Sequence, residues 1–432
     1  EASIRSTLGQ VYMSLGMYRE AEMQLRTAVA LLSDLYGPTH LETLRLRNEW
    51  IRADLACGFV WNDDDITAEY LRDCRAALGD DHILTLASGI RRAEALVLLG
   101  SQAHAVRVLG ETLDRSRRTL GEDHPLTIES HNKWAQWTLR TTARRAELET
   151  LLRAALDRSR LALGDGHPET FQAMVNLGDI LSEQRRFAEA EPLLRQGYEG
   201  LRRVLGEHHP RLVFVMRDVV LLLQETGLVG EAIQMSRKAL ALARSNLGED
   251  HPITLESAYH VGAALCRGGC FSEAAELLRD LWETHRRVQG DRALSTTMAL
   301  EVYSSSLLNL GRYAEAEEGF RRAYGARVDA AEDQTVGGAW CLRQLIRSLA
   351  VQGRSAEARP YGGRMLELRR EPALLPDADA YALNCYAYDL LTVKPEDLRQ
   401  PSEALRVALL AYERSGDEYH FNRFTVALAY EA

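Results

Sequence analysis

Lysine is nearly missing from this 432-residue chain: only Lys133, Lys238 and Lys394 occur among its 52 basic residues. The formal net charge is −10, and the arginines are spread along the chain without forming a basic block. Proteins that bind nucleic acid or an anionic membrane surface usually present a basic patch. We therefore expect neither nucleic acid nor a membrane surface among the partners.

Cysteine is sparse as well, and the six residues show no framework spacing, which is typical of a reducing compartment. Cys266 and Cys270 lie four residues apart, but no second Cys/His pair is available to complete a zinc site. No stretch approaches the roughly 20 apolar residues of a membrane span, and no signal peptide is present. We expect a cytoplasmic protein without a bound metal or cofactor. Because the chain starts at Glu1 rather than Met, we also expect it to be a piece of a longer polypeptide.

Motifs that mark common catalytic sites are missing too. None of the three lysines follows a glycine, which excludes the Gly-Lys-Ser/Thr of a Walker loop. The His-Arg-Asp and Asp-Phe-Gly signatures of protein kinases do not occur, and neither do Gly-x-Ser-x-Gly or His-Glu-x-x-His. We predict that this chain is not itself an enzyme.

What the sequence does contain is a glycine that recurs every 42 or 43 residues, within Leu-Gly-acidic-x-His-Pro-like segments such as 120–125 and 247–252. The seven positions are Gly37, Gly79, Gly121, Gly164, Gly206, Gly248 and Gly290. Self-similarity at this period is typical of stacked repeat proteins, in which each unit buries its apolar face against its neighbours.

A second turn marker lies midway between these glycines, so we predict two helices in each repeat. The marker positions hold Gly16, Gly58, Gly100, Gly227, Gly269, Gly311 and Gly353, with Thr142 and Arg185 in the two remaining slots. Segments such as 172–183 and 188–201 place apolar residues at i, i+3, i+4 and i+7, as amphipathic helices do. The small residues expected where paired helices approach closely are Gly9, Ala21, Gly178, Ala190 and Ala316.

Together with Gly-x-Tyr-x-Glu-Ala segments at 16–21 and 311–316, these motifs resemble the 42-residue tetratricopeptide repeats of kinesin light chains. The resemblance covers nearly the whole chain and implies an all-α, right-handed superhelical solenoid of antiparallel helix pairs. We expect regular repeats over 1–328 and divergent repeats over 329–432, with the array cut within the last repeat. The final helix then lacks its partner, and we expect Phe424, Val426 and Leu428 to be exposed.

One histidine per repeat precedes the predicted first helix, at His40, His82, His124, His167, His209 and His251. Neighbouring helices pack about 10 Å apart, whereas metal ligands must converge on bonds of about 2 Å. We therefore predict that these histidines cap and pack the helices, and that an adjacent proline sets the first helical turn.

In repeats of this family the first helices line a concave surface, so the resemblance implies a peptide-binding groove. Transferred by repeat phase, its residues are Asn48, Arg52, Glu94, Asn132, Gln136, Asp179, Arg217, Tyr259, Glu301, Arg343 and Arg347. Asn48 and Asn132 are expected to hydrogen-bond the backbone of an extended peptide. The row carries both signs of charge, which disfavours a ligand of one sign throughout. For each side chain taken singly, the alternative is a solvated surface residue without a ligand.

We predict a protein-interaction scaffold that binds an extended peptide or a partner domain in this groove. Segments 1–12, 381–391 and 395–401 are similar to repeats of multidomain bacterial serine/threonine kinases, which implies the docking region of a larger kinase. Two alternatives stay open. One is a free-standing adaptor of the kinesin-light-chain kind, and the other is the sensor array of a defence or signalling NTPase or protease.

Overall fold

A computed structural model describes residues 1–57, 65–99, 101–139, 145–209, 211–330, 336–373, 375, 378, 380–415 and 420–431. Three of the midpoint markers, Gly58, Gly100 and Thr142, lie outside these ranges. Within them, every regular element is helical: 21 α-helices and one short 3-10 helix at Glu396–Leu398. This confirms the all-α class predicted from the sequence.

The α-helices alternate between a first and a second helix of each repeat. The first helices are α1 Ala2–Ser14, α3 Leu41–Ala56, α5 Ile83–Leu98, α7 Pro125–Leu139, α9 Pro168–Glu183, α11 Arg211–Glu225, α13 Pro252–Arg267, α15 Leu294–Asn309, α17 Val336–Val351, α19 Ala380–Thr392 and α21 His420–Glu431. The second helices are α2 Tyr18–Tyr36, α4 Asp65–Leu78, α6 Gln102–Leu120, α8 Arg145–Leu163, α10 Phe187–Leu205, α12 Val229–Leu247, α14 Phe271–Gln289, α16 Tyr313–Asp329, α18 Ser355–Ala373 and α20 Pro401–Ser415. This alternation is the repeat solenoid that the 42-residue period predicts.

The chain divides into two compact units, Glu1–His260 and Val261–Ala432. The core of the first unit includes the fully buried side chains of Ile90, Leu109 and Leu194, and that of the second includes Phe320 and Leu345. Each such side chain stabilises the fold by roughly 1.5–3 kcal/mol relative to its exposed state. The predicted change from regular to divergent repeats, between residues 328 and 329, falls inside the second unit and stays a prediction.

The recurring glycines end the second helices in a conformation that side chains disfavour. Gly121, for example, follows α6 with φ of +85° and donates its N–H to the carbonyl of Arg117. The left-handed region favours glycine because a Cβ atom there crowds the backbone. The 42-residue period of the glycines therefore marks where the second helix of each repeat ends.

Glycine also permits the close helix approach that the sequence predicts. A Cβ atom on Gly9 would lie 2.5 Å from Cγ of Leu25, and one on Gly178 would lie 2.7 Å from Cγ of Leu194. Both distances are far below a van der Waals contact. The predicted small alanines are also completely buried: Ala21, Ala190 and Ala316.

The recurring histidines cap the first helices, as predicted. In His40, His82, His124, His167, His209 and His251, Nδ1 accepts the backbone N–H of the residue two positions later. The distances run from 3.1 Å at His167 to 3.3 Å at His40. Each contact satisfies one of the free N–H groups at a helix start. Among the described residues, no three His, Cys, Asp or Glu side chains are grouped so that they could hold a metal ion.

The last described helix, α21, is only partly exposed. Phe424 is 55% exposed, as predicted. Val426 and Leu428 instead pack against the core of the second unit, so the prediction that they are exposed is wrong. The reason is that α21 packs on α19 and α20, which cover one side of it.

Candidate interaction surface

Six charged side chains from four successive first helices form a connected surface in the first unit, which we call the charged face. Its members are Arg91 and Glu94 on α5, Glu129 and Lys133 on α7, Glu169 on α9, and Arg211 on α11. They lie five, eight, twelve or fifteen residues after the preceding turn glycine. At 3.6 residues per turn, these positions share one side of a helix.

Arg91 and Lys133 join α5 to α7 across the charged face. Lys133 Nζ lies 2.6 Å from a carboxylate oxygen of Glu94, and Arg91 lies 2.9 Å from Glu129. Arg91 also pairs with Glu94 on its own helix. Burial alone would raise the pKa of Glu94, but Arg91 and Lys133 outweigh it and lower that pKa to about 2. Burial likewise opposes the charge of Arg91, yet Glu94 and Glu129 raise its pKa above the ordinary value.

The second part of the charged face centres on Glu169. Arg211 lies 3.0 Å from its carboxylate, and the side-chain amide of Asn132 donates to that carboxylate and to the Glu169 carbonyl, both at 3.1 Å. Asn176 in turn donates to the carbonyl of Asn132 at 3.0 Å. Burial favours the neutral acid, but Arg211 and Lys133 outweigh this and lower the pKa of Glu169. Arg211 is stabilised in its charged form in turn, because Glu169 raises its pKa against the effect of burial.

The charged face is electrically balanced, with three cations and three anions. Its side chains are largely withdrawn from solvent, from 7% exposed for Arg91 to 30% for Arg211. Charges in such a setting interact more strongly than on an open surface, and removing one partner leaves the other unpaired. A ligand that binds here must present its own charged or polar groups in exchange.

The structure places part of the predicted groove row on this surface. Glu94 is a member of the charged face. Asn132 is only 1% exposed and hydrogen-bonds Glu169 from below that face. Asn132 is therefore already engaged with Glu169 when no peptide is present. Arg52 is exposed and pairs with Glu49 at 3.2 Å.

The remaining predicted residues of the first unit lie outside the charged face. Arg217 pairs with Asp218 at 2.9 Å and with Glu256 at 3.5 Å, and Asp218 in particular raises its pKa. The side-chain amide of Asn48 donates to Glu49 at 3.2 Å. The others, all half-buried, are Gln136, Asp179 and Tyr259.

In the second unit the predicted residues do not form a comparable row. Glu301 pairs with Arg327 on α16, where both side chains are almost completely buried. Arg343 lies 2.6 Å from the buried carboxylate of Asp389 on α19. Arg347 is exposed.

Sequence reasoning missed five of the six residues in the charged face, because it chose positions eleven and fifteen after the turn glycine. On α5, α7 and α9, position eleven carries Ile90, Asn132 and Val175, all at most 1% exposed. Moving by one residue turns a helix by about 100°, so position twelve, with Arg91 and Lys133, lies on the charged face instead. The available signal was a pair of charged residues among positions five, eight, twelve and fifteen in each of these four helices.

Comparison with known proteins identifies the repeat. Two family models, each described as tetratricopeptide repeat, match residues 138–203 with 212–286 and residues 2–42 with 85–126. The matched segments together make up just over half of the chain. Neither model describes a catalytic domain, and no curated protein matches the sequence.

Two solved structures share the fold at low sequence identity, and a third is similar over about half of the chain. A Rap protein complexed with competence and sporulation factor matches at 12% identity and a TM-score of 0.51, over 90% of this chain and 96% of that one. The apo form of RapI matches at 10% identity and a TM-score of 0.50, over 86% and 98%. Kinesin-light-chain TPR-like repeats of Podosopora anserina match at 22% identity and a TM-score of 0.37, over 47% and 96%. Among the described residues, no helix is both long and apolar enough to cross a membrane.

Proposed function

Because the chain belongs to the tetratricopeptide repeat family, we propose that it is a protein-interaction scaffold whose charged face binds an extended segment of a partner protein. The observation that carries this proposal is the run of paired charges over α5, α7, α9 and α11. Charged groups that are largely withdrawn from solvent on packed helices are positioned in advance for recognition.

The chemistry of the charged face favours a partner segment that carries both signs of charge. Lys133 and Arg211 can each exchange a carboxylate of the protein for one of the partner, while Glu94 and Glu129 can accept a partner's cation. A segment of one sign would leave half of the face facing like charge, which is costly. One structure with this fold is a complex with a competence and sporulation factor, but at 12% identity that likeness concerns the fold alone.

The experiment is a selection of random peptides on the full chain, followed by affinity measurements with one enriched peptide. Lys133→Gln should raise its Kd at least tenfold, because it removes a charge from the face. Lys238→Gln is the matched control: it removes the same charge from an exposed position on α12. Raising the salt concentration should weaken binding to the wild type more than to the Lys133 variant. Equal affinities for the wild type and the Lys133 variant would contradict the proposal.

A finer proposal is that this scaffold acts in the cytoplasm as the docking region of a larger bacterial serine/threonine kinase. It is supported by the likeness of segments 1–12, 381–391 and 395–401 to repeats of such kinases. The alternatives are a free-standing adaptor and the sensor array of an NTPase or protease. The test is the intact mass of the native polypeptide, with peptide sequencing upstream of Glu1. A kinase domain there supports the docking role, and a start close to Glu1 contradicts it.

A further inference from the structure

Tyr18 contacts a residue 191 positions later in the first unit. Its hydroxyl oxygen lies 2.6 Å from Nε2 of His209, and the two rings meet edge to face with centroids 5.7 Å apart. Next to it, Arg19 donates a hydrogen bond to the carbonyl of Leu247 at 3.2 Å. The start of α2, in the first repeat, thus touches the turn before α11 and the end of α12.

Tyr18 is more buried than the tyrosine at the equivalent position of a later repeat. Tyr18 and Tyr313 both stand two residues after a midpoint glycine and both begin a second helix. Tyr18 is 9% exposed, whereas Tyr313 is 37% exposed. Tyr18 belongs to a buried cluster that also contains Met13 and Leu25, and His209 adds a contact from a distant repeat.

The protonation of His209 follows from its two contacts. Nδ1 accepts the backbone N–H of Arg211 and therefore holds no proton. The neutral ring must then carry its proton on Nε2, which donates to the hydroxyl oxygen of Tyr18. His209 thus caps α11 with one nitrogen and holds Tyr18 with the other.

The contact lies at the edge of the charged face. Burial raises the pKa of Tyr18 to about 12, against the influence of Arg52 on α3 and Arg211 on α11. Burial, with a smaller contribution from the same two arginines, lowers the pKa of His209 to about 4. Arg52 and Arg211 therefore both lie beside the contact, and Arg211 is itself a member of the charged face.

We propose that the Tyr18–His209 contact, together with Arg19 on Leu247, is a latch that closes access to the charged face. A partner segment enters when the latch opens. This inference rests on the proposed function, since it concerns access to the same surface. The latch consists of side-chain hydrogen bonds, each of modest net strength, so it can open while the repeats stay folded.

Lys133 provides a direct readout of access, because it lies in the charged face and is one of only three lysines. The experiment measures by mass spectrometry how fast a bulky amine-reactive ester acylates Lys133 in the full chain. Lys238, exposed on α12, is the internal reference. Tyr18→Phe removes the hydroxyl, and His209→Asn removes the ring that Tyr18 contacts while keeping a good helix cap.

We expect each latch variant to raise the Lys133/Lys238 rate ratio about two- to tenfold, the change that loss of one net hydrogen bond produces. Two matched controls should leave the ratio unchanged. Tyr313→Phe alters the equivalent exposed tyrosine, and His167→Asn alters an equivalent cap on α9.

A ratio that is the same in the wild type and in folded latch variants overturns the proposal. If a variant loses helicity by circular dichroism, Arg19→Ala replaces it, since this change leaves the Tyr18 ring and the helix cap in place. The measurement uses no ligand. An unchanged rate ratio would therefore contradict the latch but not the proposed scaffold function. A failure of the peptide experiment would contradict the scaffold function but would not change the measured rate ratio.

Discussion

Glu301 on α15 and Arg327 on α16 form a two-point ion pair, with Nε 2.6 Å from Oε1 and Nη2 3.0 Å from Oε2. Both side chains are 6% exposed, and the guanidinium lies so close to Gly337 that a Cβ there would sit 2.8 Å from Nη2. Burial raises the pKa of Glu301 even though Arg327 opposes the shift. The two charges stabilise each other, because both side chains are almost completely shielded from water.

Breaking this pair should destabilise the second unit strongly. We expect Glu301→Gln to cost about 3–5 kcal/mol, because it removes the carboxylate that pairs with the buried guanidinium. The double variant Glu301→Leu/Arg327→Met should regain most of that loss, since no charge remains buried. Urea unfolding monitored by circular dichroism measures the unfolding free energies of both variants. A double variant less stable than the single one would contradict the account.

The charged face should give the protein a measurable sensitivity to acid. The pKa of Glu94 is about 2 in the folded state, below its ordinary value of 4.5. A depressed carboxyl pKa contributes stability above pH 4.5 that is lost as the pH falls toward 2. At about 1.4 kcal/mol per pKa unit, the contribution at neutral pH is on the order of 3–4 kcal/mol.

The variant Glu94→Gln tests this contribution through unfolding free energies at pH 7 and pH 3. The variant should be less stable than the wild type at pH 7, and the gap should narrow at pH 3. Glu42→Gln is the control, because Glu42 forms an exposed pair with Arg45 and should change stability by less than about 0.5 kcal/mol. A gap that stays constant with pH would show that Glu94 acts through packing alone.

Arg185 occupies a midpoint marker position that glycine fills in most repeats. Its φ is +61°, and among the described residues no other non-glycine residue has a positive φ. We expect Arg185→Gly to raise the unfolding free energy by about 1 kcal/mol, because glycine relieves the crowding of Cβ. Its pair with Glu225 is half-exposed and contributes little. Arg186→Gly, next door at φ of −83°, should instead destabilise. Thermal unfolding measures the stability of both variants. A loss of stability in the Arg185 variant would refute the argument that its backbone is strained.

Two glycines should respond to alanine in opposite directions. At Gly178 a Cβ would lie 2.7 Å from Leu194 and 3.3 Å from the carbonyl of Ala190, so Gly178→Ala should cost about 1–3 kcal/mol. At Gly230, inside α12, a Cβ meets nothing within 4 Å, so Gly230→Ala should stabilise by up to about 1 kcal/mol through helix propensity. Denaturant unfolding of the two variants compares them. Equal effects would mean that close helix approach is not what requires glycine at position 178.

The local elements of this protein could be predicted from the sequence because the interactions that form them span few residues. Gly121 ends α6 through its own φ, and His124 caps α7 by accepting a bond two residues away. Such interactions depend only on neighbouring residues, and they recur with the 42-residue period. The pairing of helices follows from the same pattern, since Gly178 must face Leu194 on the next helix.

Tertiary structure decided which side of each first helix is exposed and which distant repeats meet. Position eleven and position twelve differ by about 100° around a helix, and only the packing of neighbours determines that Asn132 is buried while Lys133 belongs to the charged face. The Tyr18–His209 contact depends on the sum of small rotations between successive repeats. No short stretch of sequence encodes that sum, because every repeat interface between the two residues contributes to it.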